Sequence, residues 1–553
     1  MTTPIRPTGN PASGPAADLL LVSAKANAGY NIAPPLGLYQ LRAYLGQRGV
    51  PADLLDRELN DPEPFLEATA SGRYNLLGFS VSHDQMSEDL ELLWKFKQAQ
   101  KASGRAALVI AGGQDAALNH EQWLECGIDV CFLGFAEKPL LEFCRRVALA
   151  ETFDLEALCE GIDGVAYKRR DGQRVYQPAA GLHPEEFTEL FYDQIQTFDI
   201  PYHRYWDLLR SRSADTRLGA SKFIIENVRL YTTSHCPRRC GFCNSQSFLP
   251  QSQGSALPIT MLSADQVGNL ILHMVGKYGA RGFLFSDDDF PVGNKQGLAR
   301  VADLCDQIRE FKSQGLIDRD TTFACQARVM DFVMHDEQNH RVPNRDLMHK
   351  MVQAGFNSVG MGVETFSDKL LRAPSINKVG VTASDCRMVI EAMLEIGLVP
   401  QINLILGIPE SGPEELAGSI RTALAYVEQG CDVAVTPKLL ALPGAPIYGK
   451  GLYPTMDFTR PVGDTGQMTT IQDYFVPGDP KIRALAEQFD AAARKELRHI
   501  AEACGWEGKI IHKRVVSISR LLVAARLLED RELTSLCEAA LATVLELRTP
   551  RGA

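Results

Sequence analysis

Tyr231-Thr-Thr-Ser-His-Cys236-Pro-Arg-Arg-Cys240-Gly-Phe-Cys243-Asn sets three thiols within eight residues, after a β-branched run and before a helix-like segment. Buried structural cysteines behave as small hydrophobes and have no reason to cluster at fixed spacing beside two arginines. A structural zinc site closes with four protein ligands, and neither a second Cys-x-x-Cys nor a His pair stands nearby to complete one. Three thiols instead fit an iron–sulfur cluster with one iron left open to another ligand.

Upstream, short apolar runs alternate with helical patterns. Leu19-Leu-Leu-Val is continuous enough to be a strand covered on both faces, and Leu38, Leu41 and Leu45 then recur at helical spacing. Ala52-Asp-Leu-Leu, Asn75 to Val81, Ala107 to Gly113 and Asp129 to Gly134 repeat the strand pattern, each followed by a helical stretch. Such a series predicts an α/β domain at 18–150 with a doubly wound, Rossmann-like parallel sheet, whose ligands bind at the carboxyl ends of the strands. Those ends read Pro35-Leu36-Gly37, Ser80-Val-Ser82, Gly112-Gly113 and Gly134-Phe-Ala-Glu137, small or turn-forming where a backbone would approach a ligand. Any one of them alone is also an ordinary turn.

Residues 1–17, rich in Pro, Gly, Ser and Thr, read as a disordered leader. Residues 151–220 read as a connector with a hairpin around Asp171-Gly172, and Tyr202, Tyr205 and Trp206 in it follow no clear period. From Phe223 a second strand series begins, and six strands with crossovers predict a partial (βα)6 TIM-type barrel at 221–450, with chemistry on the loops after the strands. The cysteines follow its first strand. Later strand ends carry Asp287-Asp288-Asp289, Gln326 and Arg328, Glu364-Thr365, and Gly407-Ile-Pro409-Glu410. The aspartates are also compatible with a solvated turn, an N-cap or a Mg²⁺ site, and Gly-Ile-Pro with a plain strand exit. Residues 451–553 read as a helical domain with an apolar stripe at Leu521, Leu522, Ala525 and Leu528, suited to packing on the barrel mouth or to a membrane surface.

The bulk numbers set limits. The 553 residues hold 57 Lys and Arg against 68 Asp and Glu, a net charge of −11 that argues against a nucleic-acid surface. The sequence has neither a membrane-length apolar run nor a signal-peptide core. Of the 13 cysteines, those outside the trio are scattered singly, as in reduced cytosolic proteins, so a cytoplasmic location is expected.

Cys236-x-x-x-Cys240-x-x-Cys243, with Phe242 before the last thiol, resembles the signature of the radical S-adenosylmethionine (SAM) enzymes, and the strand ends of the first domain are similar to the cobalamin-binding domain that precedes many of their cores. From 18 to about 448 the chain resembles cobalamin-dependent radical SAM enzymes, among which methyltransferases are the largest characterised set. The resemblance implies a [4Fe-4S] cluster on the three thiols. It also implies SAM contacts from Asp287 and Asp288 to the amino group, from Glu364 to the ribose and from Gly407 and Pro409 to the adenine, with Gln326 on the same rim. Cobalamin contacts are implied at Pro35, Leu36, Gly37, Ser80, Ser82, Gly112, Gly113, Gly134 and Glu137.

Two features depart from the pattern. Phe135 stands where relatives have a second glycine, and no Asp-x-His-x-x-Gly motif supplies a lower cobalt ligand. The implied cofactor is therefore base-off methylcobalamin with an open lower face, His83 being either a substitute ligand or a loop histidine. The implied activity is methylation of an unactivated carbon in a small-molecule or natural-product substrate by way of a 5′-deoxyadenosyl radical, with flavodoxin or ferredoxin as electron donor. Alternatives are a non-methylating cyclase or rearranging oxidoreductase, and a sensor without turnover.

Overall fold

Strands and helices alternate in two successive series in the computed structural model of the chain, which describes residues 19–24, 32–212, 226–247, 258–461, 468–507 and 511–546. The expected leader and the start of the expected strand at 223–225 lie outside the described residues.

The first series forms β1 (Leu19–Val22), β2 (Ala52–Leu55), β3 (Leu76–Ser80), β4 (Leu108–Gly112) and β5 (Val130–Phe132), parallel in the order β2-β1-β3-β4-β5. Leu19, Leu21, Leu76 and Ile110 enter one core, while Leu20, Val22, Leu77 and Val109 enter another. Burial on both faces is why these strands are continuously apolar. The chain order reverses between β1 and β3, which opens a crevice at the strands' carboxyl ends.

This sheet does not end at residue 150. The Asp-Gly hairpin, β6 (Val165–Lys168) and β7 (Arg174–Gln177), adds to it antiparallel through Val130↔Tyr167 and Phe132↔Val165. It covers what would be an exposed edge of β5. The connector aromatics are likewise anchors. In the helix Tyr202–Arg212, the Tyr205 hydroxyl donates to the Asp56 carboxylate, which also accepts from Tyr39 at 2.8 Å, and Trp206 Nε1 donates to the Asn227 carbonyl at 3.1 Å.

The second series forms β8 (Asn227–Leu230), β9 (Gly282–Phe285) and β10 (Thr322–Ala327), then a side hairpin of β11 (Val333–His335) and β12 (Arg341–Pro343), then β13 (Phe356–Glu364), β14 (Val399–Ile405) and β15 (Asp432–Thr436). Six of these pair in parallel in chain order, β8-β9-β10-β13-β14-β15, so the barrel is partial and open between β8 and β15. The expectation of helices across the barrel mouth needs correcting. Ser517, in the helix Lys513–Leu527, hydrogen-bonds both the N–H (2.9 Å) and the carbonyl (3.0 Å) of Val433, and Arg520 donates to the Val435 carbonyl at 2.9 Å. That helix seals the edge of β15, where unpaired backbone groups would otherwise invite another strand.

A further correction concerns residues 455–475. Read as the start of a helical domain, they form β17 (Thr455–Pro461) and β18 (Met468–Phe475), paired with the short β16 (Leu439–Leu440); the helices begin only at Pro480. The hairpin reaches back to the first domain. Ile471 is 1% exposed inside the first domain's second core, and Gln122 Nε2 donates to the Thr470 carbonyl at 2.7 Å. His83 Nε2 lies 3.0 Å from the Gln472 carbonyl, its Nδ1 lies 3.6 Å from Asp115, and Trp123 Nε1 donates to the same Asp115 carboxylate at 2.6 Å.

With an acceptor facing each ring nitrogen, His83 favours the imidazolium. Burial alone would lower its pKa, but Asp115 and the Gln472 carbonyl outweigh burial and the net direction is upward. A raised folded-state pKa means that this contribution is fully present below the unfolded value of about 6.5 and is lost as pH rises through the folded value. Thermal unfolding followed from pH 6 to 9 is expected to show that loss in the native chain and a flatter profile in His83→Gln.

Candidate functional site

The loop after β8 is held from several sides. Thr232 and Thr233 follow the strand directly, and each donates its backbone N–H and its hydroxyl to the Asp287 carboxylate, at 2.6, 2.8, 2.7 and 3.0 Å. Asp287 leaves β9 and is 1% exposed. Arg300, buried on the helix Lys295–Ser313, donates to the Thr232 hydroxyl (3.0 Å) and to the Phe290 carbonyl (2.5 Å), its guanidinium lying over the Phe290 ring. Phe290 stacks on Phe285 with centroids 4.3 Å apart, so the aromatic layer under the barrel carries the exit of β9.

The cysteine segment is latched at Gly241. Its N–H donates to the Ile376 carbonyl at 3.0 Å, and its carbonyl accepts from Ile447 N at 3.2 Å. A Cβ there would stand 2.1 Å from the Pro374 carbonyl oxygen, so only glycine fits between the second and third thiols. Cys236, Cys240 and Cys243 are free and half-buried. Burial pushes the Cys236 thiol up to about 12 and raises Cys240 and Cys243, with Lys378 opposing the rise at Cys240 and Ser245 at Cys243. Among the described residues no three such side chains converge on a single ion. A cubane has a different demand, since it takes each thiolate on a different iron, and three cysteines spread along one fixed loop fit that donor set.

A second buried network surrounds Arg328. Its Nε donates to Asp289 at 2.7 Å, and its other nitrogen meets Asp331. Glu364, at the end of β13, has φ +65°, a left-handed backbone uncommon outside glycine, and its carboxylate lies 2.9 Å from Lys378 Nζ. Burial would lower the Lys378 pKa, but Glu364 more than offsets it and keeps the amine charged.

One cavity of about 650 Å³ spans the two domains. Its floor is the carboxyl edge of the first sheet, with Pro35, Leu36, Gly37, Ser80, Gly112, Gly113, Gly134 and Glu137. Its roof is the barrel rim, with Arg229, Tyr231, Thr233, Ser234, His235, Ser245, Ser286, Asp287 and Asp288. A Cβ on Gly37 or Gly112 would meet no protein atom within 4 Å, so the space beside them is open and not filled by packing. Glu137 is buried, accepts from Gln40 at 3.1 Å through one oxygen, and has its pKa raised by burial.

Several residues singled out from the sequence stand elsewhere. Ser82 is not on the cavity wall; it lies against Asp89, its N–H 3.5 Å from that carboxylate. His83 is absent from the wall too: its Nε2 lies 3.0 Å from the Gln472 carbonyl and its Nδ1 3.6 Å from Asp115. The Asp287 carboxylate accepts four hydrogen bonds from the two threonines, three on Oδ1 and one on Oδ2, which ties its side chain to the cysteine loop. Asp289 and Asp331 share Arg328, which replaces the solvated-turn and Mg²⁺ readings of the triple aspartate.

Gln326 and Glu364 end neighbouring strands beside this roof. The Gln326 side chain lies over Gly360, whose Cβ would be 2.3 Å from its Oε1. Gly407 faces the Pro437 carbonyl, where a Cβ would stand at 2.5 Å, and the Pro409 carbonyl accepts from Gly478 N at 3.0 Å; both positions therefore also have structural duties. Sequence reasoning missed Arg300, Lys378 and the two threonines. Thr232-Thr233 sits inside the decisive stretch and could have been noticed, whereas Arg300 and Lys378 meet the loop only through long-range folding.

Family models match the chain in two segments, the B12 binding domain over residues 24–143 and the radical SAM superfamily over residues 230–423. By sequence, no curated protein matches the chain. Among solved structures, it is similar to the cobalamin-dependent S-adenosylmethionine radical enzyme OxsB with aqua-cobalamin and S-adenosylmethionine bound, at TM-score 0.65 and 14% identity, over 97% of this chain and 75% of that one. It is also similar to the radical S-adenosylmethionine methyltransferase TsrM from Kitasatospora setae with tryptophan substrate and a SAM analogue bound, at TM-score 0.59 and 15% identity, over 97% of this chain and 100% of that one. At these identities the likeness is one of fold.

Asp287→Ala would strand two buried backbone N–H groups and two hydroxyls at once. Each unsatisfied buried donor costs about 1–3 kcal/mol, so a stability loss of at least about 2 kcal/mol is expected in denaturant titrations of the apo-protein. The iron content after anaerobic reconstitution should fall with it, since the thiols would lose their support.

Proposed function

We propose that this chain, a cobalamin-dependent radical SAM enzyme that joins a B12-binding domain to a radical SAM core, transfers a methyl group to an unactivated carbon of a small-molecule substrate. The observation that carries the reading is the single cavity shared by the glycine-lined sheet edge and the rim next to the cysteine loop. A fold likeness to a methyltransferase over the full length of that chain supports it.

When bound, the cluster with SAM supplies a carbon-centred radical, and cobalamin supplies the methyl group. The chain's own contribution is position and exclusion of water. Cys236, Cys240 and Cys243 would hold three irons, and the Gly241 latch fixes the loop that presents them. Asp288, the backbone around Asp287, Gln326, Glu364, Gly407 and Pro409 would hold SAM around the barrel rim. Pro35, Leu36, Gly37, Ser80, Gly112, Gly113, Gly134 and Glu137 would cradle the corrin, while His83 meets the Gln472 carbonyl. The proposed domains are a B12 domain from 18 that continues through the β6–β7 hairpin to 177, a barrel over 221–450, and a C-terminal unit whose hairpin binds the B12 domain. Among the described residues, no helix is long and apolar enough to cross a membrane.

The reduced, reconstituted protein incubated with SAM and candidate substrates should yield both 5′-deoxyadenosine and S-adenosylhomocysteine, because methylation by this route consumes SAM in two ways. 5′-Deoxyadenosine without S-adenosylhomocysteine would refute methyl transfer and favour cyclisation or rearrangement, and no SAM cleavage at all would favour a sensor. Cys240→Ala is expected to abolish the broad cluster absorbance and SAM cleavage while cobalamin still binds, since the two ligand sets lie on different domains.

A further inference from the structure

The helix Gln114–Leu118 starts where the glycine edge of the cavity floor ends. Gly113, just before it, has φ +105°, and a Cβ there would stand 3.1 Å from the Val81 carbonyl oxygen, so this turn is drawn tight against the exit of β3. Asp115, Ala116 and Ala117 are buried, and Trp123 Nε1 donates to the Asp115 carboxylate at 2.6 Å. Gln114 is therefore an exposed amide on an anchored turn. Its Nε2 donates to Asn244 Oδ1 at 3.2 Å, and Asn244 directly follows the third thiol, Cys243. Asn244 Nδ2 in turn donates to the Pro443 carbonyl at 3.2 Å. Gly444, next in the chain, packs on the same helix, since a Cβ on it would stand 2.9 Å from Leu118 Cδ2. The end of the cysteine loop is thus pinned to the first domain by a ring of contacts that begins and ends on one short helix. Gln114 and Ser245, the neighbour of Asn244, both line the shared cavity. Two amides meeting across a domain boundary would be an ordinary surface contact if they lay away from the ligand-binding walls; here one adjoins the glycine edge and the other adjoins a thiol.

We propose that Gln114 and Asn244 are positioning residues that couple the two cofactor sites, so that cobalamin on the glycine edge steadies the cysteine loop and a cluster on the thiols tightens cobalamin binding. The inference rests on the assignment of cobalamin to the Gly112–Gly113 edge and of the cluster to Cys236, Cys240 and Cys243. A group seated against Gly112 and Gly113 restricts the turn that carries Gln114, and a donor already restricted holds Asn244 at a lower cost in entropy. Coupling between two binding sites is reciprocal, so the same bridge acts in both directions. One hydrogen bond between neutral groups sets its size at about threefold to tenfold in affinity. Coupling of that size leaves each cofactor able to bind alone.

The test measures the affinity of the full chain for hydroxocobalamin by anaerobic ultrafiltration, once before and once after reconstitution with iron and sulfide. The native chain should bind hydroxocobalamin about threefold or more tighter with the cluster than without it. In Gln114→Leu and in Asn244→Ala the ratio of the two affinities should fall to about one, and the double variant should show no further loss, because both changes break one bridge. Iron content in Gln114→Leu should stay at the native level, since that change lies in the other domain, so this variant reports even where Asn244→Ala holds its cluster poorly. A merely structural role would shift both affinities of a variant by the same factor and leave their ratio at the native value. A native ratio of one, or a native-like ratio kept in both single variants, would overturn the coupling. Failure of the native chain to hold the cluster or hydroxocobalamin at all would instead overturn the cofactor assignments on which it rests.

Discussion

Asp287 takes four hydrogen bonds from two consecutive threonines, and the placement of the site follows from that knot. The threonines end the first barrel strand and lead into the cysteine loop, while the aspartate ends the second strand. A buried carboxylate is tolerable only when its oxygens are satisfied, and here the bonds that satisfy it also fix the angle at which the loop leaves the barrel. Arg300 provides the nearby positive charge and ties the same threonine to the aromatic layer beneath. Gly241 then locks the loop against the exits of the fourth and sixth barrel strands, where no side chain could fit. The thiols thus stand on a loop that protein hydrogen bonds fix on several sides.

The B12-binding domain is held opposite this scaffold by contacts away from the ligands. The hairpin β17–β18 inserts Ile471 into the first domain and meets His83 and Gln122, while Tyr205 and Trp206 fasten the connector to both units. These clasps hold the two units together at points away from the shared cavity. Their cost to the sequence is small, because they need only a few polar groups on loops that were already near one another.

Much of the architecture was legible because it rests on local pattern. Continuous apolar runs such as Leu19–Val22 and Val130–Phe132 announce strands buried on both faces, and the cysteine spacing marks which barrel loop matters. The glycine-bearing strand ends lie together on one cavity wall. What failed depends on distant partners. Local pattern does not reveal that Asp287 bonds Thr232 and Thr233, or that His83 meets the carbonyl of Gln472, nearly four hundred residues later. The hairpin at 455–475 was hidden because its strand character resides in alternation around Phe458 and Ile471, while the composition of the segment announced only an amphipathic tail.

The central claim is that cobalamin and the cluster face each other across one cavity, and magnetic coupling reports this most directly. Electron paramagnetic resonance spectra of the protein loaded with cob(II)alamin, with the reduced cluster, and with both should be compared. The account predicts that the doubly loaded spectrum is broadened or split by coupling between the two spins and differs from the sum of the singly loaded spectra. A doubly loaded spectrum equal to that sum, with both centres fully occupied, would contradict it.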